Sequence, residues 1–214
     1  MNYIEVSNVG KKYKDKMLVE DVSFTVKKGE ILGIVGLNGS GKTVLLKCIC
    51  GLMDYNTGTI KVDGKIIGKD CEYPKNMGVI IETPGFLPYH SGYKNLEYLA
   101  SLRKKITKQD VKNVLVKVGL AGEEKKLVAK YSLGMRQRLG IAQAIMENPE
   151  LLILDEPMNG LDKDGIVEVR KILLDMKAEG KTMIVTSHNE EDIKVLCDKV
   201  IEMDKGKVCS IPYQ

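Results

Sequence analysis

The octapeptide GLNGSGKT (Gly36–Thr43) holds the residue types that wrap a backbone around phosphate. Gly36, Gly39 and Gly41 permit close backbone approach, so successive N–H groups converge on phosphate oxygens. The pattern G-x-x-x-x-G-K-[ST] requires a strand before it and a helix after it. Here the apolar run ILGIVG (Ile31–Gly36) precedes it, and Val44, Leu45, Lys47 and Cys48 follow at helical spacing up to Gly51. The helix N-terminus adds its positive end. Lys42 would reach the β- and γ-phosphates and the Thr43 hydroxyl would ligate Mg²⁺. Gly36, Leu37, Asn38, Gly39, Ser40, Gly41, Lys42, Thr43 and Val44 are therefore the candidate ATP-binding segment. A glycine-rich turn with an incidental lysine is the alternative, and the strand–loop–helix context weighs against it.

LLILDEP (Leu151–Pro157) is an apolar run ending in two carboxylates. Asp155 at the strand end can hold Mg²⁺, and Glu156 can orient and deprotonate the water that attacks a γ-phosphate. A DE pair is more often plain strand-end solvation; the phosphate loop elsewhere in the chain favours catalysis. His188 closes the next apolar run, TMIVTSH (Thr182–His188), where it can position Glu156 or the water. His90, in LPYHSG, has no visible partner and is read as a loop residue.

These groups need a scaffold. Buried-strand runs at Ile31–Gly36, Met77–Glu82, Leu151–Glu156 and Thr182–His188 alternate with helical spacing, including Ile166, Val169, Ile172 and Met176. Such alternation predicts a parallel sheet covered by helices. VSFTV (Val22–Val26) reads as a half-buried strand, and TIKVDGKII (Thr59–Ile67) as a hairpin turning at Asp63-Gly64. Between the strands, 86–145 reads as an all-helical insertion, with Thr107 and Asp110 as a capping box and Gly119 as a stop. The expected fold is α/β, one domain over 1–214. Its nucleotide-binding core and antiparallel β subdomain fall in 1–85 and 146–214, and its helical subdomain in 86–145.

Composition restricts the function classes. With 214 residues, 43% apolar and 29% charged, the chain reads as an ordinary globular protein. No run approaches the roughly 18 apolar residues of a membrane span, and the N-terminus lacks a secretory h-region. A net charge of +4, from 33 basic and 29 acidic residues, is no nucleic-acid footprint, so no nucleic-acid partner is expected. The cluster KKYKDK (Lys11–Lys16) is read as a solvated loop. Five scattered cysteines without a C-x-x-C pair point to reduced thiols, not to zinc or disulfides.

With GLNGSGKT, YSLGMRQR, LLILDEP, NGLD and TSH in this order, the chain resembles an ABC-transporter ATPase subunit over nearly its whole length. SLGMRQRLGIA and DEPMNGLD look like the branch serving bacitracin- and lantibiotic-type peptide exporters. The resemblance implies a P-loop ATPase fold and a head-to-tail dimer, expected to be a homodimer, with each ATP between one subunit's phosphate loop and the other's signature segment. It implies that Tyr13 stacks on adenine, that Ser132 and Gly134 contact the γ-phosphate bound by the opposite subunit, and that Asp162 lies in a loop linking the two sites. It also implies a transmembrane permease partner and a peripheral place on the cytoplasmic face of the membrane. Segment 83–99 would receive a helix of that partner, with Phe86, Leu87, Tyr89 and Tyr93 supplying apolar contacts if they are not core.

Three positions depart from the family pattern. Glu82 stands where Gln usually contacts Mg²⁺, which adds negative charge; it is read as a subgroup marker and a Mg²⁺ ligand. Met158 replaces Thr or Ser after DEP, with little effect expected. Leu133 and Met135 replace Gly and Gln in the signature, where Ser132 keeps the hydroxyl and helix cap and the phosphate contacts are otherwise backbone groups. The alternatives are a soluble relative acting on ribosomes or DNA, and a regulatory module without turnover.

Overall fold

The structure, a computed structural model, describes residues 1–209 of the chain. Strands β1 (Asn2–Tyr13) and β2 (Lys16–Lys27) form an antiparallel hairpin, onto which β4 (Thr57–Val62) and β5 (Lys65–Ile66) are added in the order β2-β1-β4-β5. Val22, Phe24 and Val26 are buried and alternate with exposed residues. Lys11–Lys16, read from sequence as a loop, is instead the tip of this hairpin. Strand pairing continues to Tyr13↔Lys16, because the lysines can line a paired strand while their charged ends stay in water. The Asp63-Gly64 turn has φ of 49° and 74°, the left-handed pair that a two-residue hairpin needs.

The second sheet has the order β10-β9-β3-β8-β7-β6. Strands β3 (Ile31–Val35), β6 (Met77–Ile80), β7 (Leu151–Asp155), β8 (Thr182–Thr186) and β9 (Lys199–Asp204) run parallel, and β10 (Lys207–Cys209) is antiparallel to β9. In KVCSIP (207–212), 207–209 form β10 and the remainder lies outside the described residues. The strands read as unbroken apolar runs because each feeds two cores. Leu152, Leu154, Met183 and Val185 face the cluster under the helical insertion, whereas Leu151, Ile153, Ile184 and Leu32 face the antiparallel sheet and helix α1 (Lys42–Ile49).

The insertion holds α2 (Gly92–Arg103), α3 (Lys108–Lys117), a 3-10 turn at Val128–Lys130 and α4 (Leu133–Ile145). The Thr107–Asp110 capping box forms, and Gly119 follows α3 with φ of 73°. α4 reaches the sheet edge, and Met158, after β7, is buried in this core. A Cβ on Gly78 of β6 would lie 1.9 Å from the Ala144 carbonyl oxygen. Gly78→Ala must push α4 off the sheet. It should lower stability by about 1–3 kcal/mol, as overpacking does, read as a lower denaturation midpoint. α5 (Lys163–Ala178) and α6 (Glu190–Leu196) complete the fold. No helix among the described residues is long and apolar enough to cross a membrane.

Candidate active site

Open parallel sheets present ligands at the C-terminal ends of their strands, and here β3, β6, β7 and β8 each deliver a candidate group there. The phosphate loop follows β3. Gly36 and Gly41 have φ of 143° and 106°; a Cβ would lie 2.2 Å from Met203 O in the first case and 2.6 Å from Leu18 O in the second. Only glycine fits this path. The buried Lys42 ammonium donates to Gly36 O (2.6 Å) and Leu37 O (3.2 Å), so the cation sits inside the curl of its own loop. α1 is the one α-helix among the described residues without a side-chain N-cap; Ser91, Thr107, Ser132, Asp162 and Asn189 cap the other five. Its first-turn N–H groups remain available to an anion. The Ser40 hydroxyl is buried in the same loop with no partner among the described residues.

Thr43 joins the loop to the acidic strand end: its Oγ1 donates to Asp155 Oδ2 at 2.7 Å. The other Asp155 oxygen accepts from Thr186 Oγ1 (2.7 Å), and the same hydroxyl accepts from Glu156 N (2.8 Å). Thr186 thus locks β7 to β8 and sets the backbone of Glu156. Glu156 has φ of 50°, a left-handed conformation that costs a residue with a Cβ about 1–2 kcal/mol. That turn aims its carboxylate back over the strand ends, where Oε2 lies 2.9 Å from His188 Nδ1.

A cleft of about 510 Å³ opens over these groups. Asn38, Gly39, Gly41, Lys42, Thr43, Val44, Asp155 and Glu156 form one side, and Lys16, Met17, Leu18, Lys205 and Gly206 the other. The second set arrives from the hairpin and the β9–β10 turn, and nothing local in the sequence marks it. Tyr13 sits in that hairpin, 63% exposed, with Lys14 Nζ 5.9 Å from its ring, beside the cleft but not in its wall. Leu37 is exposed at the loop's tip.

Glu82, after β6, also takes a left-handed φ, 59°, and its Oε1 is 2.6 Å from Lys47 Nζ. The lysine offsets the added charge, weakly because the carboxylate is well exposed. Glu82, Asp155 and Glu156 share a second cleft of about 290 Å³ with Arg136, Gln137 and Asn159. Thr43 with Asp155 suits Mg²⁺, which takes one or two protein oxygens and fills its shell with phosphate and water. No group of three or more His, Cys, Asp or Glu side chains placed to hold a metal ion occurs among the described residues.

Of the signature residues, Leu133, Arg136 and Gln137 line that second cleft, and Ser132 and Gly134 line neither. Ser132 Oγ caps α4 by accepting from Met135 N (3.1 Å), and neither Ser132 nor Gly134 lines the phosphate cleft. Gly134 packs against Gly160 O, which leaves no slack for a Cβ (3.0 Å), and the Leu133 side chain turns onto Gly160. Met135 meets Lys126 Nζ at 3.7 Å through its sulfur. Asp162 caps α5, accepting from Gly165 N at 3.0 Å. Gln137, which no local signal in the sequence singles out, donates to Pro157 O (2.9 Å) and Glu156 O (3.3 Å). It ties the signature helix to the turn after β7.

A phosphate loop facing a strand-end aspartate across a parallel sheet defines the P-loop nucleotide-hydrolase class, and the helical block between β6 and β7 narrows it. Residues 19–159 match the family model for ABC transporter, and the chain belongs to that family as an ATP-binding subunit and ATPase. It is 43% identical over 205 residues to the uncharacterized ABC transporter ATP-binding protein YybJ of Bacillus subtilis (strain 168), covering 96% of this chain and 94% of that one. It is also 43% identical over 206 residues to the bacitracin transport ATP-binding protein BcrA of Enterococcus faecalis, covering 95% of this chain and 67% of that longer one. Its fold superposes with a TM-score of 0.88 on the dimeric post-hydrolysis structure of the ATP-binding cassette MJ0796 bound to ADP and Pi, at 21% identity and 97% coverage of both chains.

Proposed function

We propose that the chain hydrolyses ATP at a site completed by a second copy and drives a membrane permease that exports an antibiotic peptide or a similar amphipathic compound. One observation carries the two-subunit reading: neither Ser132 nor Gly134 lines the cleft that holds Lys42, Thr43, Asp155 and Glu156. A helix start fit for phosphate contact but outside its own phosphate cleft would serve a partner's. Asp162 follows directly on Gly160 and Leu161, which pack against Gly134, so it would lie near the same junction. The exporter reading draws on the similarity to BcrA, whose name states bacitracin transport.

Within the site, Lys42 neutralises the β- and γ-phosphates, while the free N–H groups of α1 and the loop hold their oxygens. Thr43 and Asp155 would hold Mg²⁺, with Glu82 as a further ligand once freed of Lys47, and the ion would supply positive charge against that of the phosphates. Glu156 accepts the proton of the attacking water, and His188 fixes the carboxylate rotamer through Nδ1. Tyr13 stacks on adenine from the hairpin. The core, 1–85 with 146–214, carries the chemistry, and 86–145 carries the signature and the permease contact around Leu87 and Tyr89. The assembly sits on the cytoplasmic face of the membrane, held there by the permease.

Purification of the tagged chain from detergent-solubilised membranes tests this. A polytopic membrane protein should copurify, and bacitracin should raise the ATPase rate of the complex. Recovery with ribosomes or nucleic acid in place of a membrane protein overturns the reading.

A further inference from the structure

His188 is held by very little of its own: the imidazole is largely exposed, and its one hydrogen bond among the described residues is to Glu156. Its backbone is held from beneath. Ser187 Oγ accepts from Asn189 N (3.0 Å), a hydroxyl bridge that spans His188 and fixes the turn carrying it. The same hydroxyl donates to Asp192 Oδ2 at 3.0 Å, which points its remaining lone pair at the Asn189 amide. Asp192 is 2% exposed. Its other oxygen accepts from Arg170 of α5 twice, from Nε at 2.8 Å and Nη2 at 2.6 Å. Arg170 is itself mostly buried and also meets Glu191 at 3.2 Å. A buried carboxylate unpaired with charge is expensive, so a guanidinium, an aspartate and a hydroxyl fully paired beneath an exposed histidine form a rigid support. α5 is the helix that Asp162 caps, so Arg170 and Asp162 belong to one element.

We infer that Arg170, Asp192 and Ser187 form a positioning relay that holds His188 in register with Glu156, so that disturbing any of the three lowers turnover without weakening nucleotide binding. The inference rests on the catalytic reading of Glu156 and His188. None of the three touches the phosphate cleft; they act through His188 alone.

Ser187→Ala removes only the hydroxyl and leaves the Arg170–Asp192 pair intact, and Ser187→Thr restores the hydroxyl. Ser187→Ala should lower kcat about 10-fold or more, in the range that small misplacements of catalytic groups produce, with KM unchanged and the Thr variant recovering the rate. A second readout separates positioning from general loosening. The chain has two histidines, so His90→Gln assigns the His188 imidazole signals in an NMR spectrum. In the parent chain, Glu156→Gln should shift those signals; in the Ser187→Ala background that response should vanish. Unchanged kcat in Ser187→Ala, or a lower kcat with the response intact, overturns the relay. Should His188→Ala hydrolyse ATP at the parent rate, the catalytic reading of His188 fails first, a result distinct from either. If Ser187→Ala does not fold, Arg170→Lys, which keeps the charge but loses the two-point grip on Asp192, is expected to show the same loss of kcat and of the NMR response, and full activity there overturns the relay.

Discussion

Glu156→Gln should reduce ATP turnover by about 10²–10⁴-fold, the usual contribution of a general base, while nucleotide binding survives. The geometry separates the two effects. Gln keeps the volume of Glu, the backbone N–H of residue 156 still bonds Thr186 Oγ1, and Lys42, Thr43 and Asp155 are untouched. His188 can still donate to an amide oxygen. What disappears is a carboxylate able to take a proton at the strand end. Phosphate release and equilibrium nucleotide binding, measured side by side, decide the matter. Parent-rate hydrolysis by the variant would remove Glu156 from the mechanism. With ATP bound and not consumed, the variant should also accumulate as a dimer by size-exclusion chromatography.

Mixing two inactive variants should restore activity that neither has alone. Ser132→Arg leaves its own phosphate cleft intact, because Ser132 is not in that cleft's wall, but it places a long cation where a partner's phosphate would dock. Lys42→Ala removes the loop's central charge and leaves its signature surface unaltered. In a mixed dimer, one site pairs the intact cleft of the first with the intact signature of the second. Steady-state hydrolysis in titrations of one variant into the other should rise from near zero to a maximum near equal proportions. A mixture as inactive as its components sinks the shared site, as does full activity of the Ser132→Arg chain alone.

Much of this site was legible in the sequence because its parts are local. Gly36–Thr43 is contiguous, and the Leu151–Asp155 and Thr182–Thr186 runs are unbroken because both faces of each strand are buried. Capping boxes and turn pairs such as Thr107–Asp110 and Asp63-Gly64 also act within a few residues. The illegible parts come together only through topology. Thr186 reaches Asp155 across a crossover of about thirty residues, and an interior threonine of TMIVTSH is indistinguishable from any β-branched strand residue. Gln137 reads as one polar residue of an amphipathic helix until α4 is laid on β7. The Glu82–Lys47 pair spans 35 positions in the sequence. Lys16 and Lys205 become cleft walls only when the hairpin folds over the parallel sheet. Lys11–Lys16 misled for a related reason: a lysine-rich strand tip has the composition of a loop.

Gln137 makes the signature helix and the Glu156 backbone a single mechanical part. Its amide holds two carbonyls, so a rotation of α4 pulls on the Glu156 backbone. Free-energy linkage gives this a reciprocal form. On the proposed reading, a permease helix that shifts α4 by leaning on the same insertion would change the affinity for ATP, and ATP would change the permease contact by the same factor. One glutamine would then be a toll gate at which transported cargo and nucleotide each register the other's presence.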